Sequence, residues 1–362
     1  MRQLSILITL GVSSVALATA GTLFLPVYPA SVIAVDDGTG QIVDRIPLST
    51  GTPGGIQLSP DHKKLYISTV DHNGIEVIDV ATRKVINHVV LNTADKQYRF
   101  MTGTADPEGK LYYTVTKEIS LLTDRFEVNK PKYTVVDLEQ HKIVKTVDIP
   151  KSEAAMNELD YGTGWMTVSP DGKYIYQFGK RITILQASDF KVLDHIELAK
   201  PEAAGMENVH FGDDLDLFNS PGEHVSVFVS SDPIVHNRVF GLARFDLSTR
   251  RMDFTPIGPA PADMSGLEVT PDKKQAYTVV VNGIHGTKRC EFWAFDLTSD
   301  RITKKEEVPC RTRFTLGISS DGKKLYFYGA GYQIEVYDTA TLKLEKTWDL
   351  NVDVAGGIAV LP

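Results

Sequence analysis

The stretch Gly55-Ile56-Gln57-Leu58-Ser59-Pro60-Asp61-His62-Lys63-Lys64-Leu65-Tyr66-Ile67-Ser68, continued by Ile75-Glu76-Val77-Ile78-Asp79-Val80-Ala81-Thr82-Arg83-Lys84, decides the fold. Residues 55–58, 64–68, 75–79 and 84–91 are short alternating runs rich in Val, Ile, Tyr and Thr, which read as four strands. Between the first two, Pro60 sets φ and Asp61 can bond its own backbone, so 59–63 is a turn. Asp71-His72-Asn73-Gly74 turns the chain from the second strand to the third, and Asp79-Val80-Ala81-Thr82-Arg83 from the third to the outermost.

This unit repeats. The turn after the third strand opens at Asp36, Asp79, Asp137, Gln186, Asp246, Asp296 and Asp338. A period of roughly 40–60 residues, with several short strands in each unit, is the signature of propeller blades. The first turn also recurs, as Asp106-Pro107-Glu108-Gly109, Ser169-Pro170-Asp171-Gly172, Thr270-Pro271-Asp272-Lys273 and Ser320-Asp321-Gly322, while Asp213-Asp214 marks the fourth unit, where an insertion blurs the pattern. Six full units follow residue 50. The seventh must be split, with an inner strand at 356–360 and outer strands at 22–28, 31–36 and 41–48. The expectation is an all-β, seven-bladed propeller of four-stranded blades, closed by N- and C-terminal strands in one blade. Pairing the two ends removes the free edges that an open ring would expose. Helix is limited to single turns near 152–157 and 201–204.

Composition fits a soluble globular chain: of 362 residues, 42% are hydrophobic and 23% charged, and the net charge is −8. That balance excludes a nucleic-acid footprint, which needs clustered Lys and Arg. Arg2, the apolar run 4–17 and the small-x-small pattern Ala18-Thr19-Ala20 read as a signal peptide cleaved after Ala20, leaving 21–362 as the propeller. Thr22-Leu23-Phe24-Leu25 prolongs the apolar run, so an uncleaved anchor is the alternative. In either case the body lies outside the cytoplasm, in the periplasm or secreted, with no membrane span once the signal is removed. Cys290 and Cys310 flank the turn at Ser299-Asp300 symmetrically, so a hairpin places them nearly opposite each other. A disulfide and a pair of semi-buried thiols are both open. Cys-x-x-Cys-His is absent, so no c-type haem is attached to this chain.

Strand order sorts the turns onto two rims. Second-to-third turns and inter-blade connections share one, around the channel mouth, where ligand sites usually sit. The longest loops there are 117–132, 151–165, 231–238 and 282–290. The first unit's turn contributes Asp71, His72 and Asn73; the longer loops contribute Asp124 and Arg125, Asn157, Glu158, Asp160 and Tyr161, His236, Asn237 and Arg238, and His285; and a connection contributes Arg311 and Arg313. As a set these line an anion- or amine-binding mouth; singly, each reads as a solvated loop residue. The nine histidines show no metal-binding spacing, so no metal is assigned, and His62, His88, His141 and His195 read as ordinary surface residues. Gly-x-Ser-x-Gly is absent, and Gly162-Thr163-Gly164 lacks the Lys and helix of a phosphate loop. Tyr66, Tyr112, Tyr176, Tyr277 and Tyr326 recur on the second strand and read as inter-blade packing. Catalytic residues are not identifiable.

The Ser-Pro-Asp-Gly-Lys and Asp-x-x-Thr signatures resemble those of the YVTN-type seven-bladed propellers. Three stretches resemble the β chain of quinohaemoprotein amine dehydrogenase more closely: Asp124-Arg125-Phe126-Glu127-Val128-Asn129-Lys130-Pro131 in the second unit; Leu215-Asp216-Leu217-Phe218-Asn219 with Gly241-Leu242-Ala243-Arg244-Phe245-Asp246 in the fourth; and Ser319 to Gly329, ending in Tyr337-Asp338-Thr339-Ala340-Thr341-Leu342. The resemblance covers nearly all of 21–362. It implies an exported scaffold that helps wall a substrate cavity and binds no cofactor itself. A quinone then resides on a small companion chain and two haems on a third, a cytochrome subunit. The alternatives are a stand-alone lactonase-like hydrolase and an extracellular binding module. A shared fold does not choose among them.

Overall fold

The chain is described by a computed structural model at residues 21–69, 74–156, 165–198, 209–211, 222–232, 234, 236–311, 314–329 and 331–361. Its strands form seven antiparallel sheets arranged as blades. The repeat quoted above becomes blade 1: Pro53–Leu58, Lys64–Thr69, Gly74–Asp79 and Lys84–Val90, paired in chain order from the innermost strand outwards. Blades 2 to 6 follow, the last ending with Leu344–Asp349. The closing blade joins Thr22–Val27, Ser31–Asp36 and Ile42–Pro47 to Ala359–Leu361. Thr22, Leu23 and Phe24 pair with Leu361, Val360 and Ala359, and Val27 bridges Val354. The first and last described strands thus share one sheet, as the split seventh repeat requires. Lys151–Met156 forms the single turn of helix expected near 152, while 201–204 lies outside the described residues.

The turns explain the repeat. In the third-to-outer turns the leading Asp accepts the backbone N–H two or three residues on: Thr39 to Asp36 at 2.8 Å, Thr82 to Asp79 at 2.8 Å, Gln140 to Asp137 at 2.7 Å, and Thr341 to Asp338 at 2.7 Å. The residue after this acceptor turn takes a left-handed conformation, with φ between 53° and 62° at Arg83, His141, Phe190, Arg250, Asp300 and Leu342 and 75° at Gly40. Hydrogen bonds from Thr39 keep the Asp36 carboxyl below its ordinary value, and Asp79 and Asp338 are lowered likewise by Thr82 and Thr341. In the first turns a hydroxyl holds the Asp two residues on, as in Ser59–Asp61 at 2.7 Å and Ser169–Asp171 at 2.6 Å, and the same Ser caps the next strand.

There is no single core. Seven apolar clusters lie one at each blade–blade interface, because alternate residues of every inner strand face opposite neighbours. Leu23 and Leu25 face blade 6, against Tyr326 and Ile334, whereas Phe24 faces blade 1 with Leu65 and Ile67. The recurring tyrosines do pack between blades. In blade 2, however, the position equivalent to Tyr66 is held by Tyr113, since Asp137 pairs with Leu111 as Asp79 pairs with Lys64. Tyr112 instead turns back towards Tyr66, with ring centroids 6.4 Å apart. A chain ending at residue 352 loses the buried Val354, Ile358, Ala359 and Leu361. Each large apolar side chain is worth about 1.5–3 kcal/mol, so its melting midpoint should fall by about 10 °C in one transition. A truncated chain that melts like the full one would refute closure by the terminal strands.

Candidate functional site

Second-to-third turns and inter-blade connections together form the upper rim. Its connections are pinned by buried polar groups. Glu76, fully buried on the third strand of blade 1, accepts the backbone N–H groups of Ser49 at 2.5 Å and Thr50 at 2.6 Å, and so fixes the connection from the closing blade. The same strand position in blade 3 is Thr183, which donates to Glu153 at 2.9 Å. Arg181 at 2.7 Å and His195 at 3.1 Å complete the shell of Glu153, and the short helix leading into blade 3 is held by them. Burial pushes Glu153 up, but the hydrogen bonds of Thr183 and His195 and the charge of Arg181 outweigh it, so the carboxyl sits below its ordinary value. His195 is therefore part of a structural cluster and not an ordinary surface residue. In blade 6 the equivalent position is Glu335, which takes Arg311 from the incoming connection at 2.6 Å. One residue earlier, Cys310 is bonded to Cys290.

Beside this doubly fastened connection lies a cleft of about 120 Å³ between the inner strands of blades 5 and 6. Asp263, Met264, Ser265, Gly266 and Glu268 form one wall, and Phe314, Thr315 and Leu316 the other. Asp263 pairs with Val281, next to the upper turn of blade 5, so this wall reaches the upper rim. Two carboxylates, two hydroxyls and a phenyl ring line it, a set that suits a cationic or hydrogen-bond-donating molecule better than an anion. Among the described residues, no group of three or more His, Cys, Asp or Glu could hold a metal.

The expected mouth residues divide. Asp124 and Arg125 sit at a hairpin tip, their mostly exposed side chains paired with each other at 3.1 Å and the Arg125 carbonyl accepting the Leu122 N–H. The loop at 117–132 is in fact an extension of the sheet, with Phe126–Val128 paired to the upper end of Leu111–Leu121. His236 lies in the blade 4 turn, with φ 58° and its N–H on the Asp232 carbonyl. Arg238 donates to the Ala262 carbonyl at 3.1 Å, and Arg311 binds Glu335. Each arginine thus anchors one of the two connections that wall the cleft, although neither lines it. Asn237 hydrogen-bonds through its carbonyl to Asp232. The backbone of His285 lies in a 3-10 turn, while Asp71, His72, Asn73, Asn157, Glu158, Asp160, Tyr161 and Arg313 lie outside the described residues. Sequence reading missed Asp263, Glu268 and Phe314. The irregular inner strand of blade 5, split into Asp263–Met264 and Glu268–Val269 around Gly266, carries no motif that would have marked them.

The upper rim has a second property. Of its second-to-third turns, six are at least partly described, and five carry an exposed large apolar side chain: Tyr28 in the closing blade, Phe126 and Val128 in blade 2, Ile234 in blade 4, Ile284 in blade 5 and Tyr332 in blade 6. Phe126 is 74% exposed and Ile234 82%. None of the exposed large apolar residues falls in the described turns of the lower rim, where Leu138, Leu247 and Leu342 are tucked between blades instead.

No protein-family profile matches the chain, and no curated protein sequence does. Solved structures do. The chain is similar to a dihydro-heme d1 dehydrogenase, NirN, in complex with DHE, at 13% identity and TM-score 0.54 over 94% of this chain and 75% of that one. It is also similar to a functionally unknown protein from Desulfotomaculum acetoxidans, at 11% identity and TM-score 0.56 over 94% and 99% of the two chains. A third is the propeller domain of Myceliophteria thermophila Cps50 (Swd1), at 10% identity and TM-score 0.57 over 91% and 100%. At such identities the likeness shows the fold alone. The class is a seven-bladed β-propeller.

The Glu153 cluster has a definite pH signature. A carboxyl lowered by folding contributes stability that is present above its ordinary value of 4.5 and is lost as pH falls through the lower folded value. Glu153→Gln should therefore melt several degrees below the parent at pH 7, and the gap should narrow below about pH 4.5. Melting curves for both proteins from pH 7 to pH 3 check this; a gap that does not depend on pH would contradict the assignment.

Proposed function

We propose that the protein is an exported propeller scaffold or binding subunit, akin to the β chain of quinohaemoprotein amine dehydrogenase. It helps wall a substrate cavity and leaves the redox cofactors to companion chains. The observation that carries this reading is the upper rim, where the segments between second and third strands of five blades carry exposed large apolar side chains. Outer-strand residues such as Ile42, Val43, Ile86, Val144, Leu193 and Leu344 are exposed as well, but among the described turns the exposed large apolar groups fall on the upper rim, and clustered exposed apolar groups mark interaction surfaces. The amine dehydrogenase likeness in the 124–131 insertion supports the same face, since Phe126 and Val128 are among its most exposed apolar groups. The acidic cleft near that rim suits an amine better than an acid. The fold shared with a dihydro-heme d1 dehydrogenase is compatible with a redox setting.

The test is purification of the native chain without dissociating agents, followed by absorption spectroscopy. Haem bands and stoichiometric companion chains should accompany the propeller. The variant Phe126→Asp/Val128→Asp/Ile234→Asp should lose those companions yet melt within about 2 °C of the parent, because exposed substitutions cost little. A monomer that turns over esters or lactones with a divalent metal would overturn the proposal in favour of a hydrolase.

A further inference from the structure

Gly21 is buried at the lower rim, one residue before the strand Thr22–Val27. Its backbone and Asp37 hold each other: the Asp37 N–H donates to the Gly21 carbonyl at 2.9 Å, and the Gly21 N–H bonds the Asp37 carboxylate. A β-carbon on residue 21 would stand 2.6 Å from Ser320 Oγ, 2.7 Å from the Leu361 carbonyl oxygen and 2.8 Å from Asp37 Oδ2, so only glycine fits. Asp37 itself is 9% exposed, and no ion pair with it is found among the described residues. Lys324 acts on it from a distance, while the carboxylates of Asp321 and Asp36 oppose its ionisation. The Tyr326 hydroxyl, on the second strand of blade 6, is pushed up by burial and then by Asp37. Burial dominates at Asp37 and holds its carboxyl above the usual value. A half-compensated carboxylate therefore sits against the backbone nitrogen that follows Ala18-Thr19-Ala20.

We propose that hydrolysis of the Ala20–Gly21 peptide bond creates an α-ammonium at Gly21 that ion-pairs with Asp37, so that removal of the leader itself fastens the closing blade. In that step water supplies the hydroxyl that completes the Ala20 carboxylate, the C–N bond breaks, and the Gly21 nitrogen takes up the protons. No electrons are transferred, and the agent is a leader peptidase that recognises small residues. The new charge meets the one buried carboxylate of that corner, within the blade where the first and last strands of the fold pair. The inference rests on the export part of the proposed function and not on its redox part.

The experiment compares two preparations of 21–362, one with a free Gly21 amine and one with the amine acetylated, each also made as Asp37→Asn. At pH 7 the free-amine form should melt about 2–4 °C above the acetylated one, and Asp37→Asn should abolish the difference. An amine raised by its partner gives stability that is present below the ordinary α-amino value of about 8 and lost as pH rises through the folded value. The gap should therefore close in alkali. Equal melting of free and acetylated forms, or a gap that survives Asp37→Asn, would overturn the proposal. Should Asp37→Asn fail to fold, the alkaline titration of the gap decides alone. The exported protein should begin at Gly21 by mass spectrometry, and any other first residue refutes the pairing. Retention of the full chain inside the cell would defeat the export reading as well, whereas cleavage at Gly21 without the amine effect would defeat only this inference.

Discussion

The pairing of Thr22–Val27 with Ala359–Leu361 is the constraint on which the molecule depends. Each blade is a twisted four- or five-stranded sheet with apolar residues on both faces, and neither face can be left in water. In a closed ring every face meets a neighbour, which is why the apolar packing of the described residues is divided among seven interfaces. If the terminal strands part, Ala359 and Leu361 leave the cluster between the closing blade and blade 1, and Val354 and Ile358 leave the one beside it. The contact has nearly the largest sequence separation the chain allows. Its loop-closure entropy is correspondingly high, although the cost grows only slowly with length.

The two rims differ because their turns answer different demands. Lower turns are short and self-satisfied: an Asp or Ser side chain bonds the backbone of its own turn, and the apolar residue that follows is pressed between blades, as with Leu247 and Leu342. Upper segments vary in length and must cross from one blade to the next. They are fixed by partners distant in sequence: Glu76 for Ser49 and Thr50, Thr183 for Glu153, and Cys290 and Glu335 for the segment through Cys310 and Arg311. A carboxylate buried without such bonds would be strongly unfavourable, so each of these groups earns its place by satisfying a connection that has no strand partner of its own.

Much of this was legible from the order of residues. The blade count, the split blade and most strand limits follow from the repeat, because turn chemistry is local and the alternation of each strand has a fixed period. The pairing of the two cysteines was foreshadowed by their symmetric placement about one hairpin turn. The site was much less legible. Asp124 and Arg125 read as mouth residues, yet they sit on an extended hairpin with their side chains paired to each other, since the sequence of an insertion does not say whether it folds over the channel or lengthens the sheet. His195 read as a surface residue because its partner Glu153 lies a blade connection away. Asp263 and Glu268 share one blade, but Phe314 meets them only across the interface with the next blade, and no local pattern encodes that meeting.

The placement of chemistry on one rim follows from the same closure. A blade's inner strand begins at the upper rim, and its first residues are those nearest the channel mouth. In blade 5 that start is irregular: Asp263–Met264 and Glu268–Val269 pair separately with Gln275–Asn282, and the Ser265 hydroxyl donates to the Gly266 carbonyl and bonds Thr278 between them. An interrupted inner strand leaves a gap that its neighbour, Thr315–Ile318, does not fill, and Phe314 stands at the gap's far side. The cleft thus sits at a local failure of regular pairing in the inner strand of blade 5. It can persist because its flanking connections are tied elsewhere, by Arg238 on one side and by Cys310 and Arg311 on the other.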